Sequence, residues 1–387
     1  MKINISHDGI KGFAAAILFF AFLRAGFWLA ERKPLWNDEI YTQVNSIEPK
    51  SYREILQGRL PEGNAFPLFY LFQKGICDLA GFKLPFVWSG DWNVSEHRSQ
   101  MILRTGPNIF MSLALALLFY SMARNFSWMT AGYALFLALV SPGVWNYWAE
   151  ARPYALWFFL TTLQSVLLLE ILSCPRTRVL PRMGLLLTHV FLSLTTVLGV
   201  MQAAVASALL WGSKDKSPFW PGMLCLFPVP LTMLYHSRTV TQFFAFEDPP
   251  GRLLLANIPP ENLIIGFIYL VALVSWQRRI KSKGVHAWSE LGLVPVYLFF
   301  SVLILAATGA LMGYLMVKYP KGGFGFSIPS RYFMYLTPVW IMMTAGAVHE
   351  LIKRSRGNVW LGSCLVALCA VLLIMRSLKT TMEIFSF

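Results

Sequence analysis

Residues 12–30 read GFAAAILFFAFLRAGFWLA, a run whose single charge is Arg24. A membrane-crossing helix needs about 20 mostly apolar residues, and this run has that length. Lys2 and Lys11 precede it and no small-residue cleavage site follows. It therefore reads as an uncleaved first span and not as a secretory leader.

Outward from that run the pattern repeats. Comparable stretches lie at about 102–123, 128–147, 153–173, 183–197, 198–212, 218–235, 263–276, 288–317, 332–350 and 359–376. With the first they make about 11 candidate spans. The whole chain agrees: 56% of its 387 residues are hydrophobic and 13% charged, where a soluble domain carries about 25% charged residues. No soluble core hides that much apolar sequence, so the bilayer is the solvent. Aromatics at 15% suit interfacial belts. The expected fold class is an all-α integral membrane bundle, a single transmembrane domain over 1–387 with no internal repeat and no soluble C-terminal domain.

The net charge is +14, but the basic residues stand in short clusters between apolar runs. That is a topology signal and a contact for phospholipids, not a nucleic-acid face. With the N-terminus inside, the inner loops hold clusters such as Arg176, Arg178 and Arg182, or Arg278, Arg279, Lys281 and Lys283. The outer short loops are poorer in positive charge. The five cysteines, Cys77, Cys174, Cys225, Cys364 and Cys369, form no CxxC pair and read as small buried hydrophobes.

One loop breaks the rule of brevity. Residues 31–100 form a long outer segment that holds nine of the chain's 19 acids, and long ordered loops are usually functional. Ser51 to Leu60 is expected to form a short interfacial helix. Phe66 to Phe82, apolar but interrupted by Lys74 and Asp78, suits a helix at the membrane surface.

Three motifs fall on the outer face under this topology. The first is Leu35-Trp36-Asn37-Asp38-Glu39-Ile40-Tyr41-Thr42, two adjacent carboxylates just past the first span. An ionised carboxylate there is costly unless it has a partner or a task; taken alone, the pair reads as a loop that caps the next helix. The second runs from Pro142 to Leu156 and contains Glu150-Ala151-Arg152-Pro153-Tyr154; alone it is an aromatic anchor with a local ion pair. The third is Ser327 to Phe333, with Arg331 and Tyr332 at the outer end of a late span. An arginine there either snorkels to headgroups or turns inward, where its planar fork matches phosphate oxygens. Three distant motifs on one face raise the functional reading above the bland one.

At these residues the chain resembles the GT-C-type membrane glycosyltransferases, in the branch of the protein O-mannosyltransferases, aminoarabinose transferase and the bacterial RgtA/B/C/D-like enzymes. Trp36 to Thr42 resembles that branch's first-loop motif. Glu150 to Leu156 matches its E-A-R-P-Y-A-L signature without a break, and Arg331-Tyr332 with Pro338 downstream resembles the start of a late span. Leu187-Thr188-His189-Val190-Phe191 is similar to a segment of its fifth helix. The sequence departs from the family where N-H-P-P-L-Y-Y is common: here Asn64-Ala65-Phe66-Pro67-Leu68-Phe69-Tyr70 has Ala65 in the histidine's place.

The resemblance implies a bundle with catalysis on the extracytoplasmic face of a bacterial inner membrane. A sugar would pass from a polyprenyl-phosphate donor, with inversion, to a hydroxyl on a lipid, glycan or protein. Asp38 is then the expected general base and Glu39 orients the acceptor or the sugar hydroxyls. Arg152 and Arg331 hold the donor phosphate, with Glu150 positioning Arg152 and with Tyr154 and Tyr332 beside them. His189 and Arg24 are further binding candidates; Arg24 either snorkels or pairs with the acidic motif. No cofactor is required. A divalent cation, Mg²⁺ or Mn²⁺, would have Asp38 and Glu39 as ligands. The competing expectation is a transporter or flippase for a lipid-linked or anionic solute, which shares the spans and the buried charges but leaves its cargo chemically intact.

Overall fold

The computed structural model describes residues 7–61, 66–84, 96–173, 179–196, 336–355 and 357–385, with 199, 202–204 and 206–207. The expected spans at about 218–235, 263–276 and 288–317, most of that at 198–212, and Arg331 and Tyr332 lie outside the described residues. All regular structure among the described residues is helical.

The first span is α1, His7–Arg32. Its outward face carries Phe13 and Phe20 at 70% and 67% exposure, with Ile10 and Ile17 beside them. Such a continuous apolar face is stable in hydrocarbon and unfavourable in water. The long loop segment follows as α2, Asn37–Tyr41, then a π-helical turn, Thr42–Ile47, then α3, Tyr52–Leu56, and α4, Pro67–Leu79. Ser51 starts α3 because its hydroxyl accepts from the Glu54 amide while the Glu54 carboxylate accepts from the Ser51 amide at 2.8 Å. The Ser51 amide and hydroxyl, both donating to the Glu54 carboxylate, lower its pKa from the usual value. Pro67 opens α4 in the first turn, where a missing N–H costs nothing.

Next come α5, His97–Asn125, and α6, Trp128–Val140. The expected single span at 128–147 is two helices. Pro142 forces the residue before it out of the helical region, and Ser141 is extended at φ −75°, ψ 124°. The chain restarts as a short α7, Pro142–Trp148. Then α8, Tyr154–Ser173, and α9, Val179–Ser193, run back and forth. Further on, α10 is Leu336–Arg354 and α11 is Val359–Phe385. Three described helices, α1, α5 and α8, are long and apolar enough to cross a membrane. The described residues thus belong to a helical membrane protein.

Contacts between helix ends set the directions. Arg104 and Gln100, early in α5, reach carbonyls of Ala30 and Lys33 at the end of α1, so these helices are antiparallel. Arg124 meets Glu170 at 3.6 Å, joining the far ends of α5 and α8. The Leu68 amide donates to Leu194 O at 3.0 Å, bringing the start of α4 to the chain just past α9. At the opposite end of the bundle, Thr130 of α6 bonds His349 of α10 at 2.9 Å. The end of α1, all of α2 to α4, α7 and the starts of α5 and α8 therefore gather at one end of the bundle, its loop end.

Close packing at Gly26 locks three elements together. A methyl on Gly26 would lie 2.7 Å from Trp148 Nε1 and 2.8 Å from Asn108 Oδ1. The latter two belong to α7 and α5 and are buried. Gly26→Ala must push them apart, and overpacking of this kind costs about 1–3 kcal/mol. The expected result is a lower thermal midpoint of the purified protein; an unchanged midpoint would mean that α1 shifts without loss.

Candidate functional site

The site begins where α1 ends. Leu35 is fully buried and pins the chain, and Trp36 is extended at φ −110°, ψ 167° before α2 starts. Asp38 and Glu39 are consecutive in that helix, and consecutive helical side chains diverge by about 100°. One carboxylate must therefore turn inward when the other faces out.

Glu39 turns inward. Its side chain is fully buried against that of Arg104, with Arg104 Nη2 at 2.6 Å from Oε2 and Nε at 3.0 Å from Oε1. The Ala151 amide donates to Oε1 at 2.7 Å and the Trp36 amide to Oε2 at 3.2 Å. Arg104 also donates to Ala30 O at 3.0 Å, to Pro34 O at 2.8 Å and to Lys33 O. A guanidinium fork matches a carboxylate in this two-point way and still has donors left over. Here they satisfy the Ala30 carbonyl, orphaned at the end of α1, and the Lys33 and Pro34 carbonyls just past it. One ion pair thus ties α1, α2, α5 and the Ala151 turn together.

Asp38 faces outward, and its side chain is 35% exposed. Arg152 Nη2 approaches Asp38 Oδ2 at 3.9 Å, while Nη1 donates to Asp38 O at 3.4 Å and to the Thr42 hydroxyl. Two motifs more than a hundred residues apart in sequence therefore meet at the loop end. Glu150 is buried, and its carbonyl accepts the Arg152 amide at 2.7 Å, a tight turn that aims Arg152 at α2. Tyr154 is buried with its ring 4.9 Å from that of Tyr147. Lys33 adds another cation nearby in the chain, with its Nζ on Asn146 O of α7 at 3.2 Å.

The remaining candidates separate. His189 is fully buried in α9 and bonds Gln164 at 2.9 Å. Gln202 carries that cluster on to Trp157 at 2.7 Å and Thr161 at 3.1 Å. Arg24 is exposed on α1, about 12 Å along the helix from Arg32. It makes no ion pair among the described residues; Arg104 and Arg152 are the cations beside the acidic pair. Arg331 and Tyr332 precede α10, whose early residue Thr337 lies beside Gly143 of α7, 3.3 Å from where a methyl would stand. The helix that follows them thus begins at the loop end.

Among the described residues, Asp38 and Glu39 do not make a shared site for a divalent cation. Glu39 spends both oxygens on Arg104 and backbone amides, and a guanidinium stands beside Asp38. No group of three His, Cys, Asp or Glu able to hold a metal occurs among the described residues. Glu39, expected to orient the acceptor or the sugar hydroxyls, lies fully buried with four donors on its carboxylate.

Sequence reading passed over Arg104. Its signal was present, since an ionisable residue inside an apolar run is a functional hypothesis by default, and Arg104 falls in the run at about 102–123. No family model and no curated protein matches the chain, so the site stands on its own residues.

Proposed function

We propose that the chain is an inverting glycosyltransferase of the extracytoplasmic face of a bacterial cytoplasmic membrane. It transfers a sugar from a polyprenyl-phosphate carrier to a hydroxyl on a lipid, glycan or protein. The supporting observation is the half-exposed Asp38 carboxylate set against Arg152 at the loop end, on a scaffold fixed by the buried Glu39–Arg104 pair.

In this reading the acceptor O–H gives its proton to Asp38. Its oxygen forms the new bond to the anomeric carbon as the bond from that carbon to the phosphate oxygen breaks. The electron pair leaves with the polyprenyl phosphate, and a single displacement inverts the centre. General-base help is worth about 10²–10⁴ in rate. Arg152 and Arg331 take up the negative charge that grows on the leaving phosphate. Glu39 and Arg104 act as positioning residues.

The test is incubation of the purified protein with a panel of polyprenyl-phosphate sugars, reading free polyprenyl phosphate. Consumption of one donor is expected. A donor that crosses the membrane intact would instead mark a carrier. Arg331→Ala is expected to weaken donor binding, read as a raised KM for donor; an unchanged KM would move the phosphate contact elsewhere.

A further inference from the structure

Pro107 sits inside α5. It has no N–H for the carbonyl four residues earlier, so Leu103 O loses its helical donor. Leu103 is fully buried, and an orphaned carbonyl in an apolar interior is unfavourable. The missing donor comes from another helix: Gln73 Nε2 of α4 donates to Leu103 O at 2.8 Å. Gln73 is 1% exposed and shares the buried face of α4 with Phe69, Tyr70 and Cys77. Packing alone gives no reason for an amide on that face; the broken turn does. Gly106 allows the approach, since a methyl there would stand 3.0 Å from Ile76 Cδ1 of α4. The residue after Leu103 is Arg104, which holds Glu39 and the end of α1.

We infer that Gln73 is a positioning residue. Its side-chain amide replaces the N–H that Pro107 lacks and docks α4 on the turn of α5 that carries Arg104. It thereby fixes Glu39 and the placement of Asp38 against Arg152. This rests on the reading of Asp38 and Arg152 as the reacting site.

The experiment is a cycle of wild type, Gln73→Leu, Pro107→Ala and the double variant, each purified in lipid nanodiscs. The Pro107→Ala change restores a backbone N–H aimed at Leu103 O, so Gln73 becomes dispensable in that background. Gln73→Leu is expected to lower the thermal midpoint and to slow transfer by about 10- to 100-fold, the scale of a small misplacement relayed to a reacting group. The double variant is expected to match Pro107→Ala within about twofold. If Gln73→Leu is as harmful in the Pro107→Ala background as in the wild type, the inference fails. If the midpoints couple but Gln73→Leu transfers at the wild-type rate, Gln73 is a dock alone and its positioning role is overturned. Should Gln73→Leu not accumulate, recovery of the protein by Pro107→Ala supports the inference and continued loss sinks it. The midpoints need no turnover, so coupled midpoints in a chain without transferase activity would overturn the proposed function and leave the dock standing.

Discussion

Asp38→Asn is expected to abolish sugar transfer while leaving the protein folded. The amide has nearly the same shape but cannot take a proton from the acceptor hydroxyl. The loss should reach about 10²–10⁴ in rate if proton removal limits the step. Folding should survive because Asp38 is half-exposed and its approach to Arg152, at 3.9 Å, is a partly solvated ion pair. Pairs of that kind contribute about 0–1 kcal/mol. Release of polyprenyl phosphate reports the rate, and the thermal midpoint reports the fold. Wild-type turnover in the variant would remove Asp38 from the mechanism; an unfolded variant would recast it as a structural residue.

Arg104→Met is expected to cost more stability than Gly26→Ala or Asp38→Asn. It strands a fully buried Glu39 carboxylate and three carbonyls, of Ala30, Lys33 and Pro34, which now share one guanidinium. Breaking a buried ion pair by removing one partner costs about 3–5 kcal/mol, most of it from the charge left behind. The second variant follows from that cause. Glu39→Gln in the Arg104→Met background removes the stranded charge and keeps an oxygen for the Ala151 amide, so the double variant should be more stable than Arg104→Met. Midpoints measured on both decide it. A double variant that melts lower than the single would mean that stability comes from the shape of the pair and not from its charge balance.

Much of the fold was legible without coordinates because the membrane imposes a simple rule. A backbone in hydrocarbon must satisfy its own hydrogen bonds, so long apolar runs can only be helices. The runs at about 12–30, 102–123 and 153–173 became α1, α5 and α8 within a few residues of their expected limits. Hydropathy carries no information about breaks inside a run, and there the reading failed. The stretch at 128–147 divides at Ser141 because Pro142 follows it. Pro107 lies within α5 without ending it, and there the Gln73 side chain donates to the Leu103 carbonyl that the missing N–H leaves open.

The site divides along the same line. The acidic pair and the Glu150 to Leu156 stretch stood out by residue type alone, since charges next to apolar spans are rare. Sequence could not tell which of two adjacent carboxylates faces a partner, because both belong to the same helical turn. The position of Arg104 across the bundle decided it: Glu39 is drawn into a dry interior where a guanidinium can meet it, and Asp38 is left toward solvent. What the order of residues determined by itself is a helical membrane chain with charges concentrated beside its spans. Which charges pair, and which one faces solvent, was settled only when packing brought acids and arginines about 65 and 114 positions apart within ion-pair reach, because electrostatic pairing depends on distance and burial and not on separation along the chain.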